Sequence, residues 1–277
     1  MAAIALALCA SLSWGVGDFL GGFTSRRLRV LAVLALSKLA GLLGVSIWVI
    51  ASSDPAPEAN YLLAAAGAGV GGAVGLASLY RGMAIGAIGL VAPISAVSPV
   101  VAIAVDLARG VAPSTLQGAG IVVALAGIVL ASREPVPGGT RVAAGVGLAL
   151  LAALGFGLFF VGLDAAADES LPWAVAVARG SSCALAFGAV LATRTSLGVG
   201  APLVPAIVAV GLADVAANVL FGLATTRGLL SVVAVLSALY PIVTVALARF
   251  FLGEQMSGVQ RAGAFTALGG AALIAAG

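Results

Sequence analysis

The sequence predicts an all-α integral membrane protein whose ten transmembrane helices form two inverted five-helix repeats. Three observations carry that expectation. The composition lacks the charge needed to cover a water-facing surface, ten apolar stretches have membrane-spanning length, and the two halves of the chain match each other.

Of 277 residues, 62% are hydrophobic and 8% charged, and the mean hydropathy is +1.23. A soluble domain carries about 25% charged residues, so the solvent around most of this chain must be lipid. The net charge of +3 comes from scattered arginines rather than a basic patch, which argues against nucleic acid as a partner. Histidine is absent, and Cys9 and Cys183 both fall in apolar runs, where they read as two separate buried thiols. Neither a disulfide framework nor a zinc pattern follows from them, and no cofactor or metal is expected. The N-terminus lacks the positive region of a signal peptide and reads as a retained helix.

A spanning helix needs about 20 mainly apolar residues to cross a hydrocarbon core of about 30 Å. In the first half, stretches meeting this test fall at 2–20, 30–51, 60–79, 86–107 and 114–132. In the second they fall at 142–163, 171–193, 202–222, 228–251 and 257–276. The breaks carry turn chemistry, as in Asp54-Pro-Ala-Pro-Glu58 and Asp168-Glu-Ser-Leu-Pro172. The most polar, Pro- and Gly-rich break is 133–141, which divides the chain into a first repeat, 1–132, and a second, 142–277.

A shift of 142 lays Trp14-Gly15 on Phe156-Gly157, and Gly86, Ser95 and Pro99 on Gly228, Ser237 and Pro241. Residues 82–107 laid on 224–249 give eight identities without a gap. One residue more puts Gln117, Gly120 and Gly127 on Gln260, Gly263 and Gly270. A register that holds across three helices indicates a duplication. Five crossings is an odd number, so the second repeat enters the membrane from the opposite side, an arrangement suited to alternating access around a central site.

Arginine sets the expected orientation. Loops 1–2, 3–4, 5–6, 7–8 and 9–10, with their helix ends, hold nine: Arg26, Arg27, Arg29, Arg81, Arg133, Arg141, Arg194, Arg249 and Arg261. The opposite loops hold Arg109 and Arg227 with the acidic clusters Asp54/Glu58 and Asp164/Asp168/Glu169. The positive-inside rule places the arginine-rich loops in the cytoplasm and both termini outside, for a multi-pass protein of the cytoplasmic membrane.

Helix 1 reads Ser13-Trp14-Gly15-Val16-Gly17-Asp18-Phe19-Leu20, and the second repeat carries Ser237-Ala238-Leu239-Tyr240-Pro241-Ile242-Val243. Leu252-Gly253-Glu254-Gln255 follows, with Gln260 and Gly263 beyond it. In this order and spacing, over nearly the whole chain, these runs resemble the EamA-type permeases of the drug/metabolite transporter superfamily. Where the second repeat has Gly253-Glu254, the first has Gly110-Val111, so any role of that glutamate is not duplicated. The resemblance implies export or uptake of small metabolites without ATP hydrolysis, and leaves the substrate open. No Walker loop, metal motif or nucleophile triad is present in the sequence, and an enzyme is not expected.

An ionisable side chain at mid-bilayer costs at least about 2.5–3.5 kcal/mol and marks a bundle interior or a pathway. Asp18, Lys38, Arg179 and Asp214 qualify by depth, whereas Asp106 and Arg249 lie near helix ends and are expected to snorkel. Lys38 and Arg179 sit at nearly equivalent places in the two repeats. Ser11, Trp14, Gly15 and Asp18 share one helical face, as do Gly211, Asp214, Asn218 and Gly222, and Ser237, Tyr240 and Thr244. The expected substrate-binding or coupling residues are therefore Trp14, Asp18, Lys38, Arg179, Asp214, Asn218 and Tyr240. The competing reading is that the two aspartates neutralise the two cations and lock the bundle. An aspartate held by a cation stays ionised; one left unpaired in a cavity can carry a coupling proton. Asp214, with neutral Asn218 one turn away, is the better candidate for that role.

Pro93, Pro99 and Pro241 are the expected kink or hinge positions, and Gly67, Gly71 and Gly75 form a small-residue ridge for helix packing. Glu254 is expected in a loop, as a cap or in a salt bridge. The leading expectation is a secondary transporter, an exporter of amino acids or related polar or amphipathic metabolites. Its partners would be membrane lipid, a small-molecule substrate and protons as the coupling ion, with the oligomeric state open. The alternatives are a multidrug or lipophilic-cation extruder of the same fold and a lipid-flipping or scaffold subunit. Lys38 and Arg179 favour anionic or zwitterionic substrates over lipophilic cations.

Overall fold

The computed structural model describes residues 1–84, 88–132, 142–253 and 256–277, the side chains of 88–90 and 142–144 excepted. Gly86, Arg133, the 133–141 segment and Glu254-Gln255 lie outside the described residues. The first half comprises α1 (Ala2–Ser25), α2 (Val30–Ser52), α3 (Ala59–Ala84), α4 (Ile88–Ser95), α5 (Pro99–Ala108) and α6 (Thr115–Ala131). The second comprises α7 (Val142–Ala167), α8 (Leu171–Thr193), α9 (Val204–Thr225), α10 (Leu230–Ser237), α11 (Tyr240–Leu252) and α12 (Gly258–Ala276). All are helices because lipid offers backbone groups no hydrogen-bonding partner, and an α-helix satisfies its own.

Among the described residues, nine segments are long and apolar enough to cross a membrane, with α4–α5 and α10–α11 each supplying one crossing. The apolar helix α6 is shorter, at 17 residues, which still falls within the roughly 17–25 that span a bilayer. Several helices outrun the apolar stretches read from sequence: α1 continues to Ser25, α3 to Ala84 and α7 to Ala167.

The expected kinks in helices 4 and 9 are full breaks. The helix stops at Ser95 and restarts at Pro99, and stops at Ser237 and restarts at Tyr240-Pro241. Proline lacks an amide hydrogen and its ring collides with the carbonyl a turn back, so it is better accommodated in the first turn of a new helix than inside an old one. Pro93, by contrast, sits inside α4 without ending it.

The closest-packed helix pairs cross between the halves: α3 with α7, α6 with α12 and α1 with α9. Glycine makes these approaches possible. A Cβ on Gly155 would lie 2.6 Å from the Gly71 carbonyl oxygen, and one on Gly127 would lie 2.2 Å from the Ala267 nitrogen. Such backbone-to-backbone contact is how helices associate in lipid, where no hydrophobic force draws them together. Gly71 and Gly75 serve the expected ridge on α3, but Gly67 is exposed with nothing against it.

Local features recur in the second half. Gly15 packs on the Tyr240 carbonyl and Val243, and Gly157 packs on the Ser98 carbonyl and Val101. Gly110 and Gly253 adopt φ of 75° and 69° as α5 and α11 end, a conformation that favours glycine. Ser114 with Gln117, and Ser257 with Gln260, form reciprocal capping boxes at the starts of α6 and α12.

Two further expectations are corrected. Cys9 is exposed on the outside of the bundle, and only Cys183 is buried. Asp106 does not snorkel: it is 4% exposed, and its carboxylate accepts a 2.7 Å hydrogen bond from the Ser231 amide, one of the unpaired donors at the start of α10.

Candidate functional site

A cavity of about 860 Å³ runs into the bundle, with lining from both halves. Its mouth is the end where α1, α3 and α6 finish and α2 and α12 begin, marked by Ser25, Val30, Ala84, Ser132 and Gln260. Its floor is reached at Trp14, Asp214 and Asn218, near the middles of α1 and α9. None of its described lining residues comes from the opposite end of the bundle.

All seven residues expected from sequence to bind or couple line this one cavity: Trp14, Asp18, Lys38, Arg179, Asp214, Asn218 and Tyr240. Pro241 and Thr244 line it as well, whereas Pro93 and Pro99 do not. Of the shared faces, Ser11, Gly15, Gly211 and Gly222 serve packing instead. Ser237 also turns away, donating at 3.4 Å to the Ala7 carbonyl, because the break in helix 9 separates it from Tyr240.

The charges divide into a pair and two singles. Arg179 is 2% exposed and donates to one carboxylate oxygen of Asp214. The other oxygen of Asp214 accepts from the Trp14 indole Nε1 at 3.1 Å. Both oxygens of Asp214 are thus held by donors. Asn218, one turn away, led the sequence reading to favour Asp214 as the titrating group; the cation that meets it lies on the neighbouring helix α8. Among the described residues, neither Asp18 nor Lys38 has a hydrogen-bonding or ion-pair partner in the protein. Asp18 is exposed and Lys38 half-buried, both to the cavity. They sit at similar depth, each about two helical turns from the mouth-side end of its helix.

An aromatic cluster forms the floor. The Trp14 ring packs against Phe159 and Phe160, each at 6.1 Å, Phe221 at 5.9 Å and Tyr240 at 6.3 Å. These offset and edge-on contacts fix the indole, and the indole in turn fixes Asp214. Sequence reasoning missed Tyr80, Phe156, Phe159 and Phe160, all of which line the cavity. The signal was available for Phe156, which the repeat lays on Trp14, but not for the others, since an aromatic residue on an apolar helix reads equally as lipid-facing.

The end opposite the mouth is closed by polar contacts. Arg109, after α5, donates to Asp164 on α7 at 2.9 Å. Trp173 Nε1 and Ser170 Oγ, on α8 and its cap, donate to Asp54 between α2 and α3 at 3.1 and 3.4 Å. Beneath them every residue of α10 is buried.

A polytopic helical bundle with a solute-sized, charged and aromatic cavity reached from one end has the form of a membrane transporter. Two family matches, at residues 1–133 and 143–276, agree: the chain belongs to the EamA-like transporter family, within the drug/metabolite transporter superfamily, and is a multi-pass membrane protein. A solved crystal structure superposes on it with a TM-score of 0.78, covering 98% of this chain and 95% of the other at 19% identity, a likeness of fold alone. A comparison with curated proteins finds no match.

Proposed function

We propose that the protein is a secondary transporter that exports small amphipathic metabolites from the cytoplasm by alternating access between two inverted repeats, 1–132 and 142–277. One observation carries this reading: among the described residues, a cavity lined by both halves reaches the mid-helix charges from one end while polar contacts and buried α10 close the other. The mouth lies among the arginine-rich loops, so under the positive-inside rule this conformation faces the cytoplasm and both termini lie outside. The Arg179–Asp214 pair is a fixed element of the floor. Asp18, unpaired and open to the cavity, carries the coupling proton, taking it up and releasing it as access alternates.

Uptake of a panel of small amphipathic metabolites into reconstituted vesicles tests this reading. Asp18→Asn abolishes proton-gradient-driven uptake while substrate exchange without a gradient persists; undiminished gradient-driven uptake removes Asp18 from coupling. Reporter fusions at Gly277 and within 133–141 test orientation, and a cytoplasmic Gly277 overturns it.

A further inference from the structure

We infer that the outer face of the α1–α11 seam, at the mouth end of the bundle, holds an anionic phospholipid, with its phosphate at Arg27 and an acyl chain along Phe23, Phe19, Phe251 and Phe250. This concerns the lipid-facing surface and is independent of what the cavity carries.

The duplication supplies an internal control. Gly15 of α1 packs on the Tyr240 carbonyl and Val243 of α11, and Gly157 of α7 packs on the Ser98 carbonyl and Val101 at the start of α5, so the two seams are matched. Under the 142-residue shift, Phe19, Phe23 and Arg27 of the first seam fall on Val161, Ala165 and Glu169 of the second. Phe250 and Phe251 fall on Ala108 and Arg109. The second seam therefore forms without aromatics, and it carries an acid where the first carries Arg27. Packing of the two helices does not demand the four rings. Nor does it bury those of α11: Phe250 is 81% exposed and Phe251 65%.

The rings form one connected strip. Phe23 stacks on Phe19 at 6.4 Å, Phe19 meets Phe251 across the seam at 5.7 Å, and Phe251 meets Phe250 at 5.1 Å. At the mouth-side end of the strip the Arg27 guanidinium lies 5.9 Å from the centre of the Phe23 ring. That contact positions the cation without neutralising it, and among the described residues Arg27 has no carboxylate partner. Its planar fork of donors matches a phosphate bidentately, and exposed Arg29 adds a second positive charge nearby. An ordinary interfacial belt is built of Trp and Tyr, which present a polar edge to water. Phenylalanine has no such edge and offers only a face for apolar chain. Phe19 lies six residues before the end of α1 at Ser25, about 9 Å along the helix axis, so the strip runs from the headgroup level into the acyl region. Charge and apolar surface thus follow the order of a lipid's own phosphate and chain. A zwitterionic headgroup brings a cation of its own toward Arg27, which disfavours it against an anionic one.

Native mass spectrometry of the purified full-length chain, titrated with dioleoylphosphatidylglycerol or dioleoylphosphatidylcholine, compares two headgroups on identical tails. The first phosphatidylglycerol should bind at least about tenfold more tightly than the first phosphatidylcholine, the effect of one charge-assisted contact. Arg27→Gln should remove that preference, and Arg27→Lys should retain part of it. Arg194→Gln removes an exposed arginine from the same end of the bundle, beyond α8 and away from the strip, and should leave the preference unchanged. Phe250→Ala with Phe251→Ala should weaken both lipids alike. The substituted side chains are all exposed, so the fold is not at stake. A tail-less headgroup, sn-glycerol 3-phosphate, should displace neither lipid; displacement would assign the site to a soluble phosphate and overturn the inference. Equal binding of the two lipids, or a preference unchanged in Arg27→Gln, overturns it as well. So do equal losses in Arg27→Gln and Arg194→Gln, the mark of diffuse positive charge.

Discussion

The two broken helices have closely related local sequences and opposite surroundings. Ser95-Ala-Val-Ser-Pro99 separates α4 from α5, and Ser237-Ala-Leu-Tyr-Pro241 separates α10 from α11. Each break lies against a glycine of the first helix of the other half, Gly157 and Gly15. Yet Ala92 and Ala96 line the cavity, while their counterparts Ala234 and Ala238 are 0% and 4% exposed in a sealed core. Similar local instructions produce the same break, so the difference lies in which end of the bundle is closed. On the account proposed here, α10 shows what α4 becomes when the transporter turns over.

That contrast needs a fixed point between the ends, and the Arg179–Asp214 pair supplies it. Asp214→Ala strands a guanidinium that is 2% exposed; the Asp214 side chain is itself 33% exposed, so the loss should lie toward the lower end of the about 3–5 kcal/mol for breaking a buried pair. Thermal unfolding in detergent should show this as the largest loss of stability, and Arg179→Met in the same chain should restore most of it. Equal damage from Asp18→Asn would show that the two carboxylates are not divided into fixed and free. A middle-sized effect is expected where α5 holds α10. Asp106→Ala removes a charge-assisted bond to the Ser231 amide, worth about 1.5–3 kcal/mol, and should loosen the sealed end; Asp106→Asn keeps an acceptor and should be milder. The smallest effect belongs to Arg109→Ala. The side chain of Arg109 is 47% exposed, so its bridge to Asp164 should contribute less than about 1 kcal/mol, within the scatter of unfolding midpoints.

Much of this was legible in the sequence because the governing signals are local or periodic. Hydropathy marks spans, the 142-residue register marks matching positions, and charge inside a span marks the interior, which brought Trp14, Asp18, Lys38, Arg179, Asp214, Asn218 and Tyr240 to one cavity. Pairing was not legible. Asp214 and Arg179 lie on adjacent helices 35 residues apart in the chain, and no one-dimensional pattern says which of two buried cations a carboxylate meets. Nor does hydropathy separate a helix facing lipid from one buried in protein. Leu-Ser-Val-Val-Ala-Val-Leu-Ser of α10 reads like any other span but is covered on every side. Asp106 was misread for a related reason: its distance from the helix end suggested an interface, and the start of α10 that it caps comes from the other half of the chain.

Alternating access between the two ends can be read from the accessibility of one matched pair of positions. In a chain with Cys9→Ser and Cys183→Ala, a single cysteine is placed at Ala92→Cys or at Ala234→Cys, and each is labelled in sealed vesicles with a membrane-impermeant maleimide from either side. In the resting protein the first is expected to be labelled from the arginine-rich side and the second to be protected. Under a substrate or proton gradient that drives turnover, labelling of the first should fall as labelling of the second, from the opposite side, rises. Simultaneous labelling of both would describe a continuous channel, and an Ala234→Cys that stays protected under every condition would mean that α10 is a permanent plug; either result contradicts alternating access.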